Sequence, residues 1–488
     1  MRPARGGPVV QLRNVHVAAH SQAVFEPLIG HDRFTALRAA SEASRVRLTG
    51  HVVWNVNSTA SGGGVAEMLR VLVGYIRGGG VDARWVVMEG DPAFFAITKR
   101  IHNRVHGVEG DRGALGPAEV THYANVSVSN AALLLERVSP GDVVLLHDPQ
   151  TTGMAPLLAD AGVKVVWRCH IGSDQFNAWT DEAWAFLRPH LDSCDAFVFS
   201  RRSYAPAWVP EERLWVIAPS IDPFSPKNQP IPESGLGRFL SRIGITRAQT
   251  GEAAFTRSDG TRGEVIHPAT IVSEAPLDST DALVVQVSRW DHLKDMDGVM
   301  AGFASGVVGR GSRRAGLTGT AQLALVGPSV EGVADDPEGA EVLAECIANW
   351  EALPLRARRR IRLVALPMVD VDENAAMVNA LQRSAAIIVQ KSLAEGFGLT
   401  VAEGMWKAKP VLASRVGGIV DQVAPGTGVL LDEPADLEAY GKALVDLLER
   451  PAEIALMGEG ARRHVLQEFV GDRQLLQYAA LIERLLST

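Results

Sequence analysis

Short apolar runs alternate with longer stretches of helical periodicity from about residue 45 of the chain. Across residues 65–77, for example, apolar side chains recur at the helical period and form a single apolar face. Strand-sized apolar runs that alternate with helices are typical of parallel α/β units. The predicted strands of this first series are residues 52–56, 85–88, 143–146, 163–167 and 196–199.

A proline-rich stretch interrupts the alternation between Pro219 and about Ser279. It holds seven prolines and a polar segment at 250–263, which favour an interdomain connector that carries an insertion. A second series of predicted strands then follows at residues 283–287, 323–326, 361–365, 386–389 and 411–413.

The two series predict an α/β protein of two doubly wound, Rossmann-like domains that face each other across a cleft. Ligands of such sheets bind beyond the carboxyl ends of the strands, so the informative residues should directly follow the predicted strands. The expected segments are an N-terminal domain at 1–220, a linker with an insertion at 221–280, a C-terminal domain at 281–460 and terminal helices at 461–488.

Composition narrows the function classes. The length of 488 residues exceeds what one hydrophobic core usually supports, and 48 Lys+Arg against 56 Asp+Glu give a net charge of −8. No broad basic region is present, so no nucleic-acid partner is expected. Three cysteines are too few for a disulfide framework or a zinc site, which favours a reducing compartment and a cytoplasmic location. The apolar runs are strand-sized, so no membrane span is expected.

The first candidate binding element is the loop 57–64, which lies between a predicted strand and the helix at 65–77 and ends in three glycines that include Gly63 and Gly64. Glycines let the backbone approach an anion closely, and the free amides of the following helix point at it. A tight strand-to-helix turn without a ligand is the alternative. The loop has neither a Walker sequence nor GxGxxG, which disfavours a nicotinamide dehydrogenase.

Two cations follow the first strand of the second series. Arg289 can form a bidentate pair with a phosphate, and Lys294 can place a point charge on the same group from the start of the next helix. Either residue alone is more often a solvated surface charge. Their position directly after a strand favours a binding role.

A glycine-containing turn flanked by carboxylates follows the strand at 386–389. Glu395 and Glu403 lie eight positions apart, and Gly396 and Gly398 precede a helix that begins near Thr400. A helix N-terminus after glycines suits a diphosphate, and the carboxylates can accept hydrogen bonds from sugar and ribose hydroxyls. The alternative is an ordinary loop charge and a first-turn helix charge.

The segment from Glu395 to Glu403 resembles the Glu-x7-Glu motif of the family 4 retaining glycosyltransferases, which have the two-domain GT-B fold. Arg289 and Lys294 match the phosphate-binding Arg/Lys pair of that family. Longer strings resemble the trehalose glycosyltransferring synthases, with the trehalose phosphorylases as close relatives; they lie at residues 57–67, 85–90, 167–171, 219–223 and 335–339. The insertion at about 238–280 looks longer than is usual in the family.

The resemblance implies a role for each matching residue. Arg289 and Lys294 would bind the phosphates of the donor, Glu403 its ribose and Glu395 the hydroxyls of the donor sugar. The backbone around the second turn would help to hold sugar and diphosphate, and the loop of the N-terminal domain would close on the donor. Around the second turn the implied donor-binding residues are Gly396, Phe397, Gly398, Leu399 and Thr400. In the loop of the N-terminal domain they are Gly63 and Gly64. Residues 367–369 are a plausible nucleobase contact by position alone.

Histidine and carboxylate residues also follow strands of the first series. His170 resembles the active-site histidine of the family, which would contact the transferred sugar, although a structural histidine is the alternative. Asp148 and Gln150, directly after His147, could bind acceptor hydroxyls, although Asp148 could instead cap the next helix. Asp370 and Asp372 superficially match a metal-binding Asp-x-Asp, but they precede a helical pattern and capping is favoured. No metal or cofactor is expected to be required.

The resemblance implies an enzyme that transfers glucose from a nucleotide-glucose donor to a sugar acceptor with retention, by positioning and electrostatics rather than through a protein nucleophile. Glucose as acceptor would give trehalose. Phosphorolysis with glucose 1-phosphate, a nucleotide-sugar epimerase and a non-enzymatic nucleotide-sugar sensor remain the alternatives. The sequence leaves open the nucleotide base, the acceptor and linkage, the role of the insertion and the oligomeric state, for which a homodimer is one option.

Overall fold

The computed structural model describes residues 11–60, 64–309, 316–330 and 337–487. By its internal contacts the chain divides into two compact units. The first unit comprises Met1–Ser220 with Gly471–Thr488, and the second comprises Ile221–Val470. The C-terminal helix thus belongs to the first unit, and the predicted linker region 221–280 belongs to the second.

The first unit is built on a seven-stranded sheet in the order β1-β3-β2-β4-β5-β6-β7. All neighbouring strands are parallel except β1, which pairs antiparallel with β3 at the edge. Its central strands β2 and β4 are buried along their whole length because helices cover both faces. The strands are β1 (Arg13–Val15), β2 (Val53–Asn57), β3 (Ala83–Val87), β4 (Val143–His147), β5 (Lys164–Cys169), β6 (Ala196–Phe199) and β7 (Leu214–Val216).

The helices of the first unit follow the strands in the alternation that the sequence predicts. The helix after β2 has a clear apolar face, which packs its buried Leu69, Leu72 and Val73 on the core. The helices are α1 (Glu26–Ile29), α2 (His31–Arg47), α3 (Gly64–Gly78), α4 (Pro92–Val105), α5 (Pro117–Leu135), α6 (Asp148–Thr151), α7 (Ala155–Asp160), α8 (Ala178–Leu191) and the C-terminal α18 (Gly471–Ser487).

The second unit has its own seven-stranded sheet, in the order β10-β13-β12-β11-β14-β15-β16. Only the edge strand β10 is antiparallel to its neighbour. The strands are β10 (Thr270–Val272), β11 (Ala282–Val287), β12 (Ala321–Pro328), β13 (Ile361–Leu366), β14 (Ala385–Gln390), β15 (Val411–Ser414) and β16 (Gly428–Leu431). A separate two-stranded ribbon, β8 (Ala254–Thr256) with β9 (Arg262–Glu264), precedes β10.

Helices again connect the parallel strands of this second sheet. The predicted insertion contributes α9, the β8–β9 ribbon and β10, so it extends the sheet. The helices are α9 (Glu233–Ile243), α10 (Met296–Phe303), α11 (Pro337–Ala352), α12 (Leu355–Arg358), α13 (Val371–Ser384), α14 (Leu399–Trp406), α15 (Ile419–Gln422), α16 (Leu437–Leu448) and α17 (Pro451–Glu468). The prediction of two doubly wound, Rossmann-like domains is confirmed. No helix in the described ranges is both long and apolar enough to cross a bilayer.

Candidate active site

The order of strands in the second unit places a topological switch point beside β11. The chain runs from β11 outward to β12 and β13 on one side, and β14 then pairs with β11 on the other side. At such a point the loops after the two adjacent strands diverge and leave a crevice for a ligand. The loop after β11 carries Arg289 and Lys294, and the loop after β14 carries Glu395.

Lys294 and Glu395 meet at this crevice although they are far apart in the sequence. Lys294 Nζ donates to Glu395 Oε2 at 2.7 Å, and the Ser392 hydroxyl donates to the same oxygen at 3.2 Å. Arg289 remains more than half exposed, with its guanidinium 3.2 Å from Asp291 Oδ2. The structure therefore places an ammonium group and a carboxylate in contact and an accessible guanidinium on the same loop as the ammonium.

The glycine turn before α14 needs its second glycine. Gly398 has a φ of +79°, and a Cβ there would lie 3.0 Å from side-chain atoms of both Glu395 and Ile419. The helix then begins at Leu399; Val401 N–H donates to the Gly398 carbonyl at 2.9 Å, and Ala402 N–H donates to Gln422 Oε1 at 3.0 Å. Phe397 is buried, and Thr400 lies in the first helical turn. A helix N-terminus that follows a glycine turn is a common anion-binding geometry, which is the role that the sequence predicts for it.

Glu403 lies further along α14, buried beside a lysine pair that the sequence analysis did not include. Its Oε1 is 3.4 Å from Lys227 Nζ, and its backbone carbonyl accepts from Lys407 Nζ at 3.0 Å. Lys407 also donates to Asn228 Oδ1 at 2.9 Å. Burial lowers the pKa of Lys407 well below its usual value, against the opposing effect of Glu403. Segment 227–228 thereby fixes the helix that carries Glu403.

The first unit contains a polar cavity at the carboxyl ends of β2 and β4. Gly64 and the acceptor candidates Asp148 and Gln150 all line it. Gly63 lies outside the described residues, as does part of the sequence motif at 335–339 in the second unit. The lining of the cavity consists of Asn57, Ser58, Thr59, Gly64, Val65, Ala66, His147, Asp148 and Gln150. The described part of this lining holds no lysine or arginine.

His147, which is buried, and His170, which is partly buried, form a stacked pair next to this cavity. His147 Nδ1 lies 2.9 Å from His170 Nε2, and His147 Nε2 lies 3.2 Å from Asn55 Oδ1. With the Asn55 amide in this orientation, His147 donates from Nε2 and accepts at Nδ1, so His170 donates from Nε2. Arg168 Nε then donates to His170 Nδ1 at 3.4 Å.

Both imidazoles are neutral near pH 7. Burial lowers the pKa of His147 to about 3, with a further contribution from the Arg168 charge. Burial likewise holds the pKa of His170 well below its usual value, again assisted by Arg168. His170 therefore lies where the sequence predicts, but its ring nitrogens are directed at His147 and Arg168.

Asp148 combines a strained backbone with a partly buried carboxyl group. Its φ is +63°, which a non-glycine residue adopts only at a cost. Its Oδ1 accepts the backbone N–H of His170 at 2.8 Å. Burial raises the pKa of Asp148 to about 7, although the His170 amide and Arg168 act in the opposite direction. Backbone strain and a carboxyl group with a raised pKa thus coincide at one residue of the cavity lining.

The Asp-x-Asp sequence caps a helix, in agreement with the favoured interpretation. Asp370 Oδ1 accepts from the backbone N–H groups of Asp372 and Glu373 at the start of α13. Its other oxygen pairs with Arg257 at 2.6 Å, and Asp372 accepts from the Ser258 hydroxyl at 2.7 Å. Within the described ranges no group of three His, Cys, Asp or Glu residues is arranged to hold a metal ion.

Comparisons with known proteins identify the family of this chain. Residues 55–206 match the family model "Trehalose synthase, N-terminal domain", and residues 371–464 match "Glycosyl transferases group 1". The trehalose synthase of Rubrobacter xylanophilus is 33% identical over 442 residues, which cover 90% of this chain and 92% of that protein. A trehalose phosphorylase of Pleurotus pulmonarius is 27% identical over 87% of this chain but only 56% of its own length.

Among solved structures, an α,α-trehalose-phosphate synthase (UDP-forming) from Burkholderia vietnamiensis has a similar fold. Its TM-score is 0.62 at 13% identity, over 90% of this chain and 99% of that one. A likeness at this identity concerns the fold alone, which is the GT-B fold that the sequence motifs predict. Taken with the family models and the Rubrobacter relative, the fold and the motifs show that the chain belongs to the trehalose synthase family of glycosyltransferases.

Proposed function

We propose that this protein is a retaining glycosyltransferase that moves glucose from a nucleotide-glucose donor to glucose and so forms trehalose. The observation that carries the proposal is the Lys294–Glu395 contact at the switch point of the second unit. One carboxylate for sugar hydroxyls and one ammonium for phosphate, held 2.7 Å apart, suit a bond between a sugar and a diphosphate. The trehalose synthase relatives support glucose and trehalose as the sugars.

The donor would be held by the second unit. Lys294 and the exposed guanidinium of Arg289 would bind the diphosphate, together with amides at the start of α14. Glu395 would hold the sugar hydroxyls, and Glu403, fixed between Lys227 and Lys407, would bind the ribose hydroxyls. Backbone groups from Gly396 to Thr400 would complete this donor site.

The cavity of the first unit supports an uncharged acceptor. A sugar phosphate needs a cation, and the described lining has a carboxyl group, Asp148, but no lysine or arginine. Asp148 and Gln150 can instead bond neutral hydroxyls. His170 would contact the transferred sugar through its ring edge, because His147 and Arg168 already engage both ring nitrogens.

The chemistry follows from this distribution of charge. As the bond between C1 and the diphosphate oxygen breaks, its electron pair stays on the phosphate, where Lys294, Arg289 and helix amides stabilise the negative charge. An acceptor hydroxyl attacks C1 from the face that the diphosphate leaves, and its proton passes to the departing phosphate oxygen. The α configuration is retained without a covalent bond to the protein.

Product analysis by NMR tests the proposal most directly. UDP-, ADP- and GDP-glucose are each offered with glucose, and we expect α,α-trehalose and a nucleoside diphosphate from at least one donor.

The phosphate assignment is tested by variants of the two cations. Lys294→Ala should lower turnover by about 100-fold or more, because a charged group that stabilises the leaving diphosphate is lost. Lys442→Ala, which removes an exposed lysine paired with Asp446 on α16, is the matched control and should behave as wild type. Near-normal turnover in both Lys294→Ala and Arg289→Ala would overturn the phosphate assignment.

Phosphorolysis is the second candidate, because the chain also matches a trehalose phosphorylase over most of its length. It predicts release of glucose 1-phosphate from trehalose and inorganic phosphate without any nucleotide. Protection from thermal unfolding by UDP, ADP or GDP, with none by phosphate, would argue against it.

A further inference from the structure

Lys391 is a buried lysine at the switch point to which the proposed function gives no role. It follows β14 directly, and its side chain has no exposed surface. Its ammonium group forms an ion pair with Asp295, which follows Lys294 in the loop after β11. A wholly buried ammonium group is costly unless it is paired, so its position calls for a reason.

Asp295 occupies a turn that is strained in its own right. Its φ of +50° is left-handed, which only glycine and a few polar residues adopt readily. Its Oδ1 accepts the backbone N–H of Gly298 at 3.2 Å and so caps α10. The ion pair with Lys391 and this cap hold Asp295, and with it the adjacent Lys294, in one conformation.

Gln286 on β11 connects the same two loops from below. Its side chain is completely buried. Its Nε2 donates to the Lys294 carbonyl at 2.7 Å, and its Oε1 accepts the Lys391 backbone N–H at 3.1 Å. The amide orientation is fixed because one partner can only accept and the other can only donate.

A backbone hydrogen bond completes the connection. Leu393 N–H donates to the Leu293 carbonyl at 2.8 Å, one residue before Lys294. The Lys294 turn is thus held by one ion pair, two bonds of a buried amide and one bond between the loops. In the ion pair, the Lys391 side chain has no exposed surface, whereas Asp295 is partly exposed.

We propose that Lys391 and Gln286 are positioning residues for Lys294: they fix the turn after β11 so that the Lys294 ammonium stays beside Glu395 and meets the diphosphate of the donor. The proposal rests on the proposed function, in which Lys294 binds that diphosphate. Lys391 itself is too deeply buried to touch a substrate. It acts through Asp295 on the backbone of the neighbouring residue.

The test compares the affinity for a nucleoside diphosphate with that for the matching monophosphate, by calorimetry on the full chain. Wild type should prefer the diphosphate that serves as product. Lys391→Met and Gln286→Leu should weaken diphosphate binding by about 10- to 100-fold, because a small displacement of a positioned group has effects of this size. Monophosphate binding should stay within about twofold, since the ribose and base contacts are elsewhere. Lys391→Arg should restore most of the preference, and Lys442→Met should leave it unchanged.

A double-mutant cycle separates positioning from general damage to the fold. If Lys391 acts through Lys294, adding Lys391→Met to Lys294→Ala should cause little further loss of diphosphate affinity. A purely structural role would instead weaken monophosphate and diphosphate binding equally and add fully to Lys294→Ala. Either of those two results would overturn the proposal.

The outcomes also distinguish this proposal from the proposed function. If wild type binds diphosphate and monophosphate equally well, or Lys294→Ala keeps the preference, the assignment of Lys294 to the diphosphate is wrong and this inference falls with it. If Lys294→Ala loses the preference while Lys391→Met and Gln286→Leu retain it, only the positioning role is wrong.

Discussion

Buried and partly buried polar side chains in the first unit are joined in one chain of contacts. Hydrogen bonds link Asn55 to His147, His147 to His170 and His170 to Arg168. The Asp148 carboxyl group accepts a hydrogen bond from the backbone N–H of His170. The Arg168 charge disfavours protonation of both imidazoles and favours ionisation of Asp148, while burial opposes that ionisation. Asp148 is therefore the member of this chain that changes charge nearest to neutral pH.

The Asp148→Asn variant tests this at the level of a single residue. The pKa of Asp148 is about 7 in the folded protein, and its ordinary value is 3.8. Between pH 3.8 and about pH 7 the native state therefore keeps a proton on Asp148 that the unfolded chain has lost. The contribution of Asp148 to stability is present below pH 3.8 and is lost as the pH rises through about 7. Asparagine stays neutral, tolerates a positive φ and can still accept a hydrogen bond from the backbone N–H of His170. The melting temperature of the variant should therefore rise relative to wild type between about pH 4 and pH 7.

The difference between the two proteins isolates Asp148, because His147 and His170 have lowered pKa values and change stability in the opposite sense in both. For them the native state binds fewer protons than the unfolded chain, so stability falls as the pH drops below the ordinary value of 6.5. A difference in melting temperature that does not vary with pH would show that Asp148 is already ionised in the fold.

At the level of elements, the sequence predicts the parallel strands well and the edges of the sheets poorly. The predicted runs 361–365 and 386–389 correspond to β13 and β14, because strands buried on both faces are continuous apolar runs. The edge strands β1 and β10 have three residues each and no such pattern. They are strands because a neighbour pairs with them, which no local pattern reports.

The same distinction applies to the candidate site. Arg289, Lys294, Glu395 and Glu403 are predictable because they follow strands and match a motif. The partners that hold them are not, since Lys391 and Asp295 are 96 positions apart and meet only through the order of β11 and β14. A lysine directly after an apolar strand was the one signal for Lys391. The caps of α13 were predictable because capping depends on adjacent residues alone.

Glu373 shows how the insertion is fastened to the second sheet. It is buried at the start of α13, where its Oε1 accepts the backbone N–H groups of Ile266 and His267 at 2.6 and 2.7 Å. Its Oε2 lies 2.7 Å from His267 Nδ1. One carboxylate thus satisfies two amides and an imidazole in the segment between β9 and β10.

Glu373→Ala should release this segment. We expect the free energy of local opening at the Ile266 and His267 amides to fall by about 2 kcal/mol, because two partly buried N–H groups lose their charged acceptor. The neighbouring Asp372→Ala removes a partly exposed carboxylate that accepts from the backbone N–H and the hydroxyl of Ser258, in the turn between β8 and β9, and should cost about 1 kcal/mol at the Ser258 amide. Native-state hydrogen exchange measures both values. Equal effects of the two variants would contradict an anchoring role for Glu373.

At the scale of the whole molecule, the first unit is built from two parts of the chain that are separated in the sequence. The second unit lies between two parts of the first in the sequence, and α18 packs on α2 of the first unit. The completely buried Asp472 of α18 pairs with Arg33 of α2, where Arg33 Nη2 donates to Asp472 Oδ1 at 2.8 Å. Burial raises the pKa of Asp472, and the Arg33 charge opposes that rise. The last helix is thus joined to α2 of the first unit by a charge pair whose carboxylate is buried and whose guanidinium is partly exposed.

Asp472→Ala should therefore destabilise the first unit selectively. Removing the buried carboxylate leaves the partly exposed Arg33 guanidinium without its acceptor, and the loss of a hydrogen-bonded charge pair of this kind costs about 1.5 to 3 kcal/mol. The Arg47–Glu483 pair joins the same two helices at the surface, so Glu483→Ala is a matched control and should cost about 0 to 1 kcal/mol. Hydrogen exchange followed by mass spectrometry should show faster exchange in peptides from α2 and α18 for Asp472→Ala, with peptides from β11 to β16 unchanged. Equal acceleration in both units would mean that α18 stabilises the chain as one cooperative body, and no acceleration in α2 would mean that the buried pair does not hold the helix in place.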